Sequence, residues 1–199
     1  MKFVCSLVCV FILNGFCSQV FAQEERGSEQ DKKLNYFYDH LDFTLTNTDT
    51  IPDFESKMDK IKISGTIFES DGVTPASDAI LYIYQADEDG YFAYNSNNDK
   101  DAIHHRGWIK TNKDGQYTFY TFVPNTDVRN DKLRKIYAFA KTADGQAYNP
   151  ACFLFDDDPR LSRYCRKRVN KFDSKSILKL EKKKDLLVAN RDIVLNTGK

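Results

Sequence analysis

Apolar and polar positions fall into short blocks along the second half of the chain, and each block reads as a strand. Residues 62–69 (KISGTIFE) are rich in β-formers and run into the Asp71-Gly72 turn and the break at Pro75. Residues 79–84 (AILYIY) form a continuous apolar run, the pattern of a strand covered on both faces. Asp89-Gly90 ends that stretch. Residues 107–110 resume a strand, and Lys113-Asp114-Gly115 reads as a hairpin turn. Residues 116–122 then alternate, with Tyr117, Phe119 and Thr121 on one face, until Pro124 stops them. Residues 135–141 and 152–155 are further strands, and residues 161–169 read as a brief basic helix. Residues 177–180 and 187–195 close the pattern around a Lys182-Lys183-Lys184 turn. Short strands at regular spacing predict an all-β fold, a β-sandwich.

Nothing before residue 59 shows a comparable period. Residues 35–54 carry scattered aromatics, and residues 23–33 are charged and polar, as in a tether. Residues 1–22 read as a secretory signal: Lys2, an apolar run over 3–16, then Val20-Phe21-Ala22 ahead of a polar stretch. A retained anchor is the competing reading of that segment. The expected organisation is a signal peptide over 1–22, a tether and irregular segment over 23–58, and a sandwich domain over 59–199. The mature chain is then secreted or periplasmic, with no transmembrane segment. The sequence does not fix its oligomeric state.

Composition narrows the function classes. The 199 residues carry 29 basic and 29 acidic side chains, a balance that argues against a broad nucleic-acid footprint. Aromatics at 14% exclude wholesale disorder. Of five cysteines, only Cys152 and Cys165 lie beyond the signal segment, and an oxidising compartment would let them pair. Two unpaired thiols is the alternative. The three histidines are His40, His104 and His105.

Several stretches carry a family resemblance in order: residues 63–67 with Asp71-Gly72, residues 80–90 (ILYIYQADEDG), residues 106–124 (RGWIKTNKDGQYTFYTFVP), residues 153–159 (FLFDDDP) and residues 191–195 (RDIVL). Together they resemble intradiol ring-cleavage dioxygenases of the short secreted bacterial branch. The resemblance implies a β-sandwich of mixed topology. It also implies, in active members, a ferric iron held by two Tyr and two His, which binds a catechol for oxygen insertion between its hydroxyl-bearing carbons. Hard phenolate donors and imidazoles suit that ion. Carried over position by position, the ligand places fall on Phe92, Asp127, Lys135 and Tyr137, and the assisting Arg falls on Lys132. All four ligand types are therefore substituted.

The expected function is a secreted dioxygenase-like domain that is non-catalytic and binds a small aromatic ligand or a surface partner, with no cofactor. The alternative is an active ferric dioxygenase with a non-standard ligand set. Tyr91, Tyr94 and His104 are the remaining pocket candidates. His104 and His105 are read as a polar pair, because adjacent strand residues face opposite sides and do not share an ion. Asp156-Asp157-Asp158 reads as a solvated turn, the Arg163, Arg166, Lys167 and Arg168 cluster as a solvated face, and Tyr82, Tyr84, Tyr117 and Phe119 as packing between facing strands.

Overall fold

The computed structural model describes residues 44–94, 103–126, 133–145, 152–173 and 175–195, with the backbone of 147–148. All of these belong to one compact unit, residues 43–199. The signal and tether segments, the loop at 95–101, Asp127 and Lys132 lie outside the described residues.

Two mixed six-stranded sheets make the domain. Sheet one contains β1 (Thr48–Thr50), β2 (Lys60–Phe68), β5 (Gln116–Phe122), β10 (Glu181–Lys183), β11 (Leu186–Asn190) and β12 (Ile193–Val194). Its order is β1-β5-β2-β11-β10, with β12 also on β2. Sheet two contains β3 (Ile80–Gln85), β4 (Arg106–Lys110), β6 (Lys135–Lys141), β7 (Ala147–Tyr148), β8 (Phe153–Phe155) and β9 (Ile177–Leu178). Its order is β4-β3-β6-β8-β9, with β7 on β6. One helix, α1 (Arg163–Phe172), joins β8 to β9. The Ser162 hydroxyl caps it by accepting from the Cys165 amide.

The core lies between the sheets. Ile61, Ile63 and Ile67 of β2 and Tyr117 and Phe119 of β5 meet Leu81, Ile83, Ile109, Ile136 and Ala138 from sheet two. Alternation on β5 predicts this face correctly. The β3 run is covered on both sides, as its unbroken apolar sequence requires: Leu81 and Ile83 enter the core, while Tyr82 and Tyr84 are buried on the opposite face. The expected Tyr82/Tyr84/Tyr117/Phe119 set therefore belongs to two separate layers.

Other expectations change in structural detail. Lys113-Asp114-Gly115 is not a hairpin turn, because β4 pairs with β3 and β5 pairs with β1 and β2. The turn carries the chain from one sheet to the other, with the Asn112 side chain accepting from the amides of Asp114 and Gln116. The sandwich also begins before residue 59. Strand β1 runs parallel to β5 and reaches sheet two through Asp49, whose carboxylate accepts from the Trp108 amide at 2.9 Å. Gly107 permits that approach, since a Cβ there would stand 2.5 Å from Asp49 Oδ2. The closing turn sits at Lys184-Asp185, after Lys182 and Lys183 have joined β10.

The last predicted strand is two strands, both parallel to β2, separated at Arg191-Asp192. Tyr117 Oη donates to the Arg191 carbonyl at 2.5 Å, and burial pushes this phenol far above its ordinary range. The buried Arg191 guanidinium pairs with Asp173 and lies over the Phe153 ring. Gly65 faces this corner; a Cβ there would fall 2.0 Å from the Arg191 carbonyl oxygen.

The acidic triplet is a turn, but a solvated one only in part. Asp156 pairs with Arg166 and Asp157 with Arg134, and Asp158 is buried, accepting from the amides of Arg134 and Arg160. Arg166 is thereby separated in role from Arg163, Lys167 and Arg168, which are exposed. Cys152 and Cys165 are both half-buried and unpaired, so the expected disulfide is absent from this structure. Cys152 precedes β8 while Cys165 sits in the first turn of α1. Burial pushes the Cys152 thiol up.

Candidate functional site

Two places collect side chains with chemical potential. The first is the face of sheet two turned away from the core. The antiparallel register sets Tyr84 opposite Tyr137 and Tyr82 opposite Phe139 on β6, and Tyr82 opposite Trp108 on β4. Cross-strand pairing at this spacing brings rings into contact. Tyr84 and Tyr137 stack with centroids 4.7 Å apart and planes 3° from parallel, and Tyr82 stacks on Trp108 at 4.9 Å. Phe92 closes the cluster, 6.2 Å from Tyr84 and 6.0 Å from Tyr137. Two cations lie over the rings: Lys135 Nζ is 4.3 Å from the Tyr137 centroid, and the Arg106 guanidinium is 5.0 Å from that of Trp108.

Phe92, Lys135 and Tyr137, the three described positions to which the resemblance carries iron ligands, therefore meet in one cluster. Their chemistry does not fit a ferric ion. Phe92 has no donor atom and Lys135 brings an ammonium, so of the three only Tyr137 offers an oxygen donor, one too few for an iron site. The chain's single Trp also lines a groove of about 340 Å³, with Thr46, Asp49, Pro52 and Arg106 among its walls. That volume is of small-ligand size. Burial raises the Asp49 carboxyl, partly offset by the amides of Thr50 and Trp108 that donate to it.

Tyr91 and Tyr94 do not join the cluster. Both are exposed, and Tyr94 forms an isolated bridge with Ile103. His104 turns elsewhere too, to the second place.

There, His104 Nε2 lies 2.9 Å and His105 Nε2 3.2 Å from the same oxygen, Asp53 Oδ2. The strand rule fails for this pair because the histidines sit in a bend ahead of β4. The Arg106 amide donates to the His104 carbonyl at 3.0 Å, and that tight turn brings the two rings to 5.0 Å. Asp53 follows Pro52 and adopts a left-handed backbone, φ 65°, which aspartate tolerates better than most residues. His105 is buried edge-on to Phe122, while Asp53 is exposed and His104 half-buried. Burial pulls the Asp53 carboxyl upward, but hydrogen bonds and charge from the two histidines together outweigh it and leave it below the ordinary range. Burial pushes the His105 imidazole down against the opposing bond to Asp53. Sequence reasoning missed Asp53, which lies 51 residues from His104. The adjacent Ile51-Pro52-Asp53 turn was its only signal.

No protein-family model matches the chain, and no curated protein does. Solved structures match in fold. The dioxygenase domain of a dioxygenase–carbohydrate-binding fusion from a cellulolytic Streptomyces is 21% identical, with a TM-score of 0.58 over 77% of this chain and 91% of its own. An intradiol ring-cleavage dioxygenase from Tetranychus urticae is 17% identical, with a TM-score of 0.57 over 78% and 88%. Catechol 1,2-dioxygenase from Acinetobacter is 16% identical, with a TM-score of 0.53, and this chain spans 57% of its length. The two mixed sheets are consistent with these matches, which lead to one conclusion: the domain has the intradiol ring-cleavage dioxygenase fold.

Proposed function

We propose that the chain is a secreted, non-catalytic dioxygenase-like domain that binds a small aromatic molecule without oxidising it. The observation that carries this reading is the convergence of Phe92, Lys135 and Tyr137 into a packed aromatic cluster with an ammonium over one ring. These are the positions at which the resemblance calls for iron donors. Hydrophobic and cation–π contacts replace oxygen and nitrogen donors there, which suits a planar ligand better than a metal. The groove beside Trp108, with Arg106 over the indole, supplies a recess of matching size.

The test uses one sample. Incubated with ferric salt and desalted, the protein stays colourless and leaves catechol uncleaved in an oxygen-uptake assay. Catechol alone quenches the fluorescence of Trp108 in a saturable way and raises the melting temperature. A visible charge-transfer band with consumption of catechol and oxygen overturns the non-catalytic reading. Absence of any fluorescence or thermal response to catechol and simple benzoates overturns the binding reading.

A further inference from the structure

The Asp53–His104–His105 cluster stands apart from the aromatic face, and nothing in the proposed aromatic binding uses it. Among the described residues it is the one group of three metal-capable side chains whose donor atoms all lie within 4.8 Å of one another. We propose that Asp53 Oδ2 and the Nε2 atoms of His104 and His105 form a three-ligand site for a divalent cation of the zinc class.

Geometry supports it first. A tetrahedral zinc with ligand bonds of about 2.0–2.1 Å places neighbouring donor atoms about 3.3 Å apart. The two carboxylate–imidazole separations here are 2.9 and 3.2 Å, and all three donor atoms lie within 4.8 Å of one another, so a cation entering the cluster takes the place of the two Nε2 hydrogens while the imidazoles close toward it. Two imidazoles and one carboxylate are a borderline donor set of net charge −1, suited to zinc rather than to calcium or magnesium.

Preorganisation supports it second. His105 is 3% exposed and wedged against Phe122, so one ligand is already fixed. The turn through His104 and the left-handed backbone at Asp53 hold the other two. The Asp53 backbone is anchored as well, its carbonyl accepting from the Ser56 amide and hydroxyl. Asp53 and His104 face solvent, which leaves an approach path and a fourth position for water or an incoming ligand.

One feature limits affinity. His105 Nδ1 is buried with no hydrogen-bond partner among the described residues, so the outer support that a ligating histidine usually has is missing on one ligand. Lys57, which acts on His105 through its charge, is offset by Glu88 at 3.4 Å. Loss of an outer-shell partner costs about 10–100-fold, which weakens an otherwise nanomolar site to a Kd of roughly 10–100 nM.

The experiment is a calorimetric titration of the full chain, stripped with chelator, against zinc chloride at neutral pH. One zinc binds per chain with a Kd of roughly 10–100 nM, and binding raises the melting temperature. Asp53→Asn and His104→Ala each weaken binding at least tenfold. Both side chains are at least partly exposed, so these variants keep the wild-type unfolding midpoint within a small margin. Cobalt substituted at the site gives visible d–d absorption that both variants lose. No zinc binding by the wild-type chain, or binding that both substitutions leave intact, overturns the proposal. Neither readout involves aromatic ligands, so failure here is distinct from failure of the aromatic-binding reading.

Discussion

The aromatic face of sheet two and the Asp53 cluster are opposites. One gathers three of the positions to which the resemblance carries iron ligands, and two of them, Phe92 and Lys135, bring no donor for iron. The other has metal-binding atoms at an address that the resemblance does not mention. The aromatic face is built by strand register, so each ring is fixed by a backbone ladder and by the ring across from it. The Asp53 cluster is built by two turns, and long-range folding alone brings its members together. The contrast teaches that a scaffold conserves positions, while chemistry belongs to whichever side chains occupy them.

The largest test of the contrast is mechanical. Tyr84→Ala removes the ring shared by Tyr82, Tyr137, Phe92 and Phe139, and lowers unfolding free energy by about 3–5 kcal/mol in urea titrations. A cost below about 1 kcal/mol would mean that the face is an open pocket rather than a packed layer. Next comes the corner that closes sheet one. Tyr117→Phe leaves the buried Arg191 carbonyl without its donor and costs about 1–3 kcal/mol by the same measurement.

Thiol chemistry gives a smaller, kinetic difference. Both cysteines are labelled by iodoacetamide without reductant, and Cys152 reacts more slowly than Cys165 because burial disfavours its thiolate. Peptide mapping that finds the two cysteines disulfide-linked would contradict the unpaired arrangement.

The smallest effects separate the two regions by sign. Asp49 on the aromatic side has a raised pKa, so the folded state holds its proton more tightly than the unfolded chain. Its contribution is present below the ordinary carboxylate value and is lost as pH rises through the raised one. Asp53 has a lowered pKa, so its contribution is present above the ordinary value and is lost as pH falls through the lowered one. Melting temperatures across acid pH, measured in chelator, therefore change in opposite directions for Asp49→Asn and Asp53→Asn relative to the parent. Parallel profiles would remove the electrostatic half of the contrast.

Much of this was readable from residues alone. Strand β5 matches its prediction at both ends because alternation and Pro124 define it, and β6 does likewise. The double burial of β3 followed from its unbroken apolar run. Strand β1 was not readable, since Thr48, Asp49 and Thr50 carry no apolar signal and are held by parallel pairing with β5. The sheet change after Lys113-Asp114-Gly115 was hidden for a related reason: a turn sequence specifies local backbone, and the partner of the next strand is a tertiary matter. At the site, the positions carried over from the resemblance, Phe92, Lys135 and Tyr137, meet in one aromatic cluster. Strand periodicity misjudged His104 and His105, because a bend replaces the pleat just where they occur.

Strand β2 sits between β5 on one edge and β11 and β12 on the other, and those last two are parallel partners more than 120 residues away. Such distant pairings form slowly, because a long loop must close before any ladder bond rewards it. Until residues 186–195 dock, the folding chain therefore holds a half-mated sheet, its central strand offering unsatisfied amides to any passing neighbour. Proteolytic trimming of that same decapeptide would recreate this vulnerable state in the finished molecule.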